Sequence, residues 1–190
     1  MPSSSSSTED PVLIYRPASP LSLAISAILA LIPHPSDPEP SAAVSVIQRR
    51  TYAHTFATLA NASIEADCDL ASSTEPSQVS SSERPVINRE PFHPRTPVEL
   101  ECLLALLVLS VYEYAQRGNL LKMKYRAGQA LAIAFDKSLH SLGEEHDVFA
   151  EARRRAWWMT VWRCSHVAAG IVSDFDFLSA CSITVFYKAL

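Results

Sequence analysis

Residues 151–158 read Glu-Ala-Arg-Arg-Arg-Ala-Trp-Trp and lie in the strongest helical pattern of the chain. At helical spacing, small and apolar side chains fall on one face of this segment, and larger ones lie beside them. Arg154, Trp158 and Trp162 follow one another at i, i+4 spacing on the adjoining face, so a guanidinium can cover an indole. The pattern predicts a core helix whose arginine stems shield bulky aromatics. The predicted face holds Phe149, Ala152, Ala156, Cys164, Val167 and Ile171, flanked by Trp157, Thr160 and Val161.

Two more helices are predicted directly upstream of this one. Residues 96–99 read Thr-Pro-Val-Glu, which is typical of a capping box, and an apolar run follows to Gln116 before an Arg-Gly stop. Asn119 can cap the next helix, which is predicted to continue to about Leu139. Residues 140–146 are predicted to form a loop, and Asp147 is a plausible cap for the helix after it. Small residues of the middle helix would let a neighbouring helix approach closely, namely Ala127, Gly128, Ala130 and Ala134.

Two helices are predicted in the N-terminal half as well, together with two segments that show no helical pattern. Residues 1–18 are rich in serine and predict a disordered lead, and Ser19-Pro20 then begins an apolar helix over 21–32. A second helix is predicted from after Ser41 to about Asp67, with Tyr52, Phe56, Leu59 and Ile64 on one side. Residues 68–95 show no apolar period and predict a long flexible insertion, or else a boundary between two helical parts. The fold class expected is all-α, an irregular array of about five helices forming an incomplete domain.

Composition and charge argue against several classes of function. The 190 residues carry a formal net charge of −4, and the tightest basic run, 153–155, winds around a helix instead of forming one stripe. Binding of nucleic acid by phosphate contacts is therefore not expected of this chain itself. The first ten residues lack both a positive charge and an apolar core, so they do not form a secretory signal. The uncharged run 102–112 is too short to span a bilayer, and no membrane role is expected.

The sequence offers no positive support for an enzyme, a metal site or a bound cofactor. Its four cysteines, at 68, 102, 164 and 181, form no C-x-x-C pair. The chain lacks a nucleophile elbow and both glycine-rich phosphate loops, and it has only four glycines. A cluster of histidine and acidic residues at 140–147 has no spacing suited to a metal and is predicted to be a solvated connector. We predict no catalytic, cofactor-binding or metal-binding residue.

The order of motifs over residues 97–173 resembles a known regulatory region. A leucine-rich helix over 99–111 ends in Tyr112-Glu113-Tyr114, a small-residue helix follows over 125–134, and Ser138-Leu139-His140 precedes the Arg-Arg-Arg-x-Trp-Trp helix. This set is similar to the middle regulatory region of fungal transcription factors of the binuclear zinc cluster type, closest to the xylanolytic-activator branch. The resemblance implies an all-α domain that regulates transcription in the nucleus. The matching positions, structural in role, are Tyr112, Tyr114, His140, Glu151, Arg153, Arg154, Arg155, Trp157 and Trp158.

The chain also departs from that family in ways that limit what the resemblance implies. The six-cysteine motif is absent, so DNA and zinc would be bound only by a missing N-terminal domain. Many relatives carry Asp-Arg some seven residues after the first paired tryptophan, where this chain has Cys164-Ser165. Residues 19–174 would be part of the regulatory domain and 175–190 an atypical tail, which suggests a truncated gene product. The alternative is a stand-alone helical module that binds a protein or a small ligand.

Three expectations follow about packing and partners. The apolar faces of the helix over 21–32 and of residues 102–109 should need more partners than the chain supplies. Protein partners or self-association are therefore expected. Trp158 is predicted to be buried, so that its loss would destabilise the fold more than the loss of Arg154.

Overall fold

The protein is all-α, as the sequence predicts. The structure is a computed structural model that describes residues 16–72, 87–141 and 147–168. Five α-helices lie in these residues, with a short 3-10 turn at Leu139–Ser141 between the last two. The helices are α1 (Pro20–Leu29), α2 (Ala43–Ser72), α3 (Val98–Arg117), α4 (Leu120–Asp136) and α5 (Ala150–Ala168).

The central element is α3, which packs against all four other helices. Every residue from Leu100 to Ser110 is buried, so this helix is covered on all sides within the array. A helix that is apolar all round is stable only when it is enclosed in this way. The expectation that residues 102–109 would lack partners is therefore wrong, because α1, α2, α4 and α5 together cover them.

The first helix begins as predicted and is shorter than predicted. The Ser19 hydroxyl accepts a hydrogen bond from the backbone N–H of Ser22, and the Ser22 hydroxyl accepts one from the backbone N–H of Ser19. This reciprocal pair caps the helix, and Pro20 occupies its first turn. The helix ends at Leu29, and residues 30–32 form a turn ahead of Pro33. Its inner residues are buried in the core, while Leu29 and Ile32 remain exposed. The expectation that this face would lack partners therefore holds only at its C-terminal end.

The second helix is longer than predicted, and its buried side differs from the predicted one. Tyr52 and Leu59 are exposed, and Phe56 is only half-buried. Because α1 packs closely along α2, the contact line is made of small residues, and the larger side chains lie beside it. The buried line is Ala53, Ala57, Ala60 and Ile64.

Two features of the predicted insertion over 68–95 need correction. Helix α2 continues to Ser72, and two residues attach the segment 87–95 to the core: Phe92, which is half-buried, and Arg89, which binds Asp67 and Glu101. Residues 73–86 lie outside the described part of the chain, as do 1–15 of the predicted lead and the predicted tail 175–190. Arg89 and Phe92 hold the segment that leads into α3 in place. Apolar periodicity does not predict contacts of this kind.

The predicted helix boundaries around α3 and α4 are mostly confirmed, with one exception. Gly118 ends α3 in a left-handed conformation at φ 60°, which glycine adopts without strain. The Asn119 side chain accepts a hydrogen bond of 2.9 Å from the Lys122 backbone N–H and so caps α4. The capping box at 96–99 is wrong, because Pro97 is the N-cap and Thr96 is buried, with its backbone N–H bonded to the His93 carbonyl.

Candidate functional site: the Arg–Trp helix and its surroundings

The N-terminal end of α5 is tied to the rest of the protein by Arg153. Its guanidinium lies 3.2 Å from Glu99 of α3 and also binds Asp147, which precedes α5. Asp147 also accepts a 2.7 Å hydrogen bond from the Phe149 backbone N–H, so it closes the turn that leads into the helix. Hydrogen bonding to Arg153 is the main cause that holds the pKa of Asp147 below its usual value. Arg153 therefore fixes the position of α5 against α3.

The other two arginines of the triplet share one carboxylate. Glu151 lies 3.2 Å from Arg154 and 2.7 Å from Arg155, at i, i+3 and i, i+4 spacing on the exposed side of α5. These hydrogen bonds, that of Arg155 first, lower the pKa of Glu151. All three arginines of the triplet thus contact acidic side chains, which leaves a neutralised surface and not a basic patch.

The paired tryptophans point to different environments. Trp158 is 66% exposed, so the prediction that it is buried is wrong. Arg154 binds Glu151 instead, and the predicted guanidinium–indole contact with Trp158 is not found among the described residues. Trp157 is half-buried and packs against the core. Consecutive helical residues lie 100° apart, so a core contact for one of the pair turns the other outward.

Trp157 also joins an aromatic cluster at the junction of α4, the 3-10 turn and α5. Its ring meets Phe135 edge-on at a centroid distance of 5.6 Å and lies 6.0 Å from His140. The Phe135 and His140 rings are 5.1 Å apart. Such edge-to-face pairs stabilise by roughly 0.5–1.5 kcal/mol beyond the area they bury. The Leu-His motif and the Trp-Trp motif, distant in sequence, therefore meet at one point.

The two tyrosines that end the leucine-rich run lie in different clusters. Tyr112 is buried in the main core, and burial raises the pKa of its hydroxyl. Tyr114 is half-buried and packs with a smaller cluster formed by Met123, Ala127 and Val167. Tyr114 therefore joins α3 to α4 and α5.

The sequence reasoning missed a buried ionic cluster between α2 and α3. Arg89 binds Asp67 at 2.7 Å and Glu101 at 3.2 Å, and both carboxylates are nearly or fully buried. Glu101 also accepts a 2.7 Å hydrogen bond from the Phe92 backbone N–H. The Cys102 thiol donates to Asp67 at 3.1 Å, and burial, followed by that hydrogen bond, raises the pKa of Cys102. In the sequence, the acidic residue at Glu101 can be explained by its place in the first turn of the predicted helix. Its position directly before the apolar residues 102–109 was nevertheless a signal that Glu101 is buried.

A second missed residue is Arg163, which is buried on the inner face of α5. Its Nε donates a 2.8 Å hydrogen bond to the Ser110 hydroxyl of α3. Residues 156, 160, 163 and 167 follow one helical stripe, so an arginine at 163 interrupts an otherwise small and apolar line. That interruption, together with the lone serine in the apolar run of α3, is the signal that could have predicted the pair.

The rest of the predicted face of α5 is confirmed as far as it is described. Ala156, Thr160 and Val167 are buried and Cys164 is half-buried, while Ile171 lies outside the described residues. Trp162 is half-buried, and its ring lies 4.2 Å from that of His166.

Metal ligands and reactive thiols are the two kinds of site that the histidine, cysteine and acidic residues could form. No cluster of three or more such side chains among the described residues could hold a metal ion. The thiol pKa values of Cys68, Cys102 and Cys164 are all raised, chiefly by burial. A raised thiol pKa reduces the thiolate that acts as a nucleophile. None of the helices described is long and apolar enough to cross a membrane.

Comparisons with protein-family models, with curated proteins and with solved structures found no match to this chain.

Proposed function

We propose that the chain is part of the regulatory domain of a fungal zinc-cluster-type transcription factor and acts in the nucleus through protein contacts. The observation that carries the proposal is the contact between two of the three resembling motifs, in which the His140 ring lies 6.0 Å from the Trp157 ring. The Tyr-x-Tyr end of α3, the Leu139-His140 turn and the Trp-Trp pair of α5 lie in one packed unit of α3, α4 and α5.

The chemistry of the Arg–Trp helix supports a structural and protein-binding role. Arg153 links α5 to α3, and Glu151 binds the other two arginines. Trp158 remains on the surface, one helical turn beyond Arg154 and Arg155. An exposed tryptophan flanked by arginines is the kind of residue that dominates protein interfaces. In this proposal Trp158 contacts a partner, and DNA is bound only by a separate domain.

The proposal can be tested with a reporter in a fungal cell. The full chain is inserted between an unrelated DNA-binding domain and a constitutive activation domain. Regulation by the chain should change reporter output relative to the same fusion without it. Trp158→Ala should reduce the change while leaving helicity intact, and Arg50→Ala, at an exposed site on α2, is the matched control. Reporter output that is indifferent to the folded chain would contradict the proposal.

The second candidate is a stand-alone helical module that binds another protein. It is favoured by the exposed apolar side chains of α4, which another protein could cover whether or not a DNA-binding domain is attached to the chain. The two candidates differ in their genomic setting. An upstream reading frame that encodes paired C-x-x-C clusters and a basic linker supports the regulator, and its absence supports the module.

For either candidate, the 190-residue chain should not recognise DNA. The net charge is −4, and the arginine triplet is occupied by acidic residues. Band shifts with CGG-containing duplexes at physiological salt should show no complex. Tight binding with a sequence preference would contradict this assignment.

A further inference from the structure

The outer surface of α4 carries an apolar stripe that the described helices leave exposed, except that Phe135 at its C-terminal end contacts Trp157 of α5. At 100° per residue, five residues of α4 fall within an arc of about 80°, roughly opposite the buried side of the helix. All five are exposed, and Leu121 is 78% exposed and Tyr125 61%. A methyl group added at Gly128 would meet nothing within 4 Å. The stripe consists of Leu121, Tyr125, Gly128, Ala132 and Phe135.

The order of side chains along the stripe is suited to pairing with itself. Gly128 lies midway between Leu121 and Phe135, seven residues from each. In an antiparallel pair of α4 helices centred on Gly128, the Leu121 of one copy would face the Phe135 of the other. Tyr125 would then face the small Ala132, and the two glycines would allow close approach. Near the centre of the pair, each large side chain would therefore face a small one. At both ends, two large side chains would face each other.

Charges beside the stripe have the same two-fold complementarity. Lys122 and Asp136 are exposed and lie on the same flank of the stripe, near opposite ends of α4. A two-fold axis through Gly128 keeps each flank on its own side, so Lys122 of one copy comes within about two residues of Asp136 of the other. The pair would place opposite charges at both ends of the interface. A parallel arrangement would keep Lys122 and Asp136 at opposite ends of the interface and so lose this pairing.

From this pattern we infer that α4 forms an antiparallel homodimer interface, with a second copy of the chain as the occupant. A 17-residue helix is about 25 Å long, so one helix face is small beside the roughly 800 Å² per partner of a standard interface. The dimer should therefore be weak and reversible, with monomer predominating at low concentration. This inference does not rest on the proposed regulatory function.

Sedimentation velocity on the full chain is the first test. The sedimentation coefficient should rise with concentration towards a dimer value. Leu121→Glu and Gly128→Glu should each weaken association at least about tenfold, since each places a charge against the surface of the partner copy. Val44→Glu is the matched control, because Val44 is equally exposed at 77% but lies on α2. Circular dichroism should show the same helicity for all four proteins.

A cross-linking experiment tests the geometry without weakening the fold. A residue on a two-fold axis faces its own copy, so the thiol introduced by Gly128→Cys should form a disulfide-linked dimer under mild oxidation. Gln116→Cys, exposed on α3, and the wild-type chain are the controls, and both should remain largely monomeric on non-reducing gels.

Three results would overturn the inference. The first is a wild-type chain that stays monomeric at all concentrations. The second is dissociation caused by Val44→Glu but not by Leu121→Glu. The third is an internal disulfide between the thiol introduced at position 128 and Cys181, found by peptide mapping of the monomer. That disulfide would mean that residues 169–190 of the same chain, and not a second copy, cover the stripe.

Discussion

Arg89 and Arg153 each bridge two carboxylates, and in both cases one carboxylate comes from the first turn of α3. Arg89 reaches Glu101 on the inner side of that turn, and Arg153 reaches Glu99 on the outer side. The pairs differ in burial, since Glu101 is fully buried and the Glu99 side chain is 49% exposed. Water screens the outer bridge and not the inner one. The bridge of Arg89 is therefore expected to contribute more to the free energy of unfolding than the bridge of Arg153.

The largest effect is expected from Arg89→Met. The change keeps much of the side-chain volume but leaves Asp67 and Glu101 facing each other without a cation. Removing one partner of a buried bridge costs about 3–5 kcal/mol of unfolding free energy. Urea melts of wild type and variant would measure the loss. A loss below about 1 kcal/mol would show that water reaches this cluster and that the two bridges are equivalent.

A second comparison uses adjacent tryptophans in place of arginines. Trp157→Ala should cost about 2 kcal/mol, because Trp157 is half-buried against the core and a fully buried tryptophan loses roughly 3–5 kcal/mol. Trp158→Ala should change the unfolding free energy by less than about 0.5 kcal/mol, as surface substitutions do. Thermal or urea melts of the two variants test this order. Equal losses would mean that Trp158 is covered in solution, for example by a partner copy.

The outer bridge should show a smaller effect. Arg153→Ala removes contacts to Glu99 and Asp147, both of which are about half exposed. Exposed ion pairs contribute about 0–1 kcal/mol, so the loss should stay in that range. The same urea melts measure it, with Arg50→Ala as the control for removing one exposed positive charge. A loss comparable to that of Arg89→Met would remove the contrast between the inner and outer bridges.

The smallest effect is a change in the titration of Asp147. Its pKa is lowered in the folded protein, mainly by the hydrogen bond from Arg153. A lowered carboxyl pKa stabilises the fold above the ordinary value of 3.8, and this contribution is lost as pH falls through the lower folded value. NMR titration should place the pKa of Asp147 below 3.8 in wild type and closer to it in Arg153→Ala. An identical pKa in both proteins would show that Arg153 does not hold this carboxylate in solution.

Sequence periodicity was most successful where a pattern is local. Each helix was predicted, and the Asn119 cap, the Gly118 stop and the Ser19-Pro20 start depend only on neighbours in the chain. The same reasoning failed at Trp158, because two adjacent bulky residues fit either rotation of α5 about its axis. Contact with Phe135 and the core selected Trp157 as the inner one. Membership in the regulatory family stays a prediction that rests on the order of motifs.

By itself, the sequence determined that the chain is helical, because capping, glycine stops and the 3.6-residue apolar period act over a few residues. Only the tertiary structure decided which polar groups are buried. Asp67, Arg89 and Glu101 come from three separate segments, and no local pattern pairs them with one another. They are brought together because α2 and α3 pack there, and a buried charge is tolerated only with its partners in place. That pairing spans up to 34 residues of sequence, beyond the reach of any local pattern.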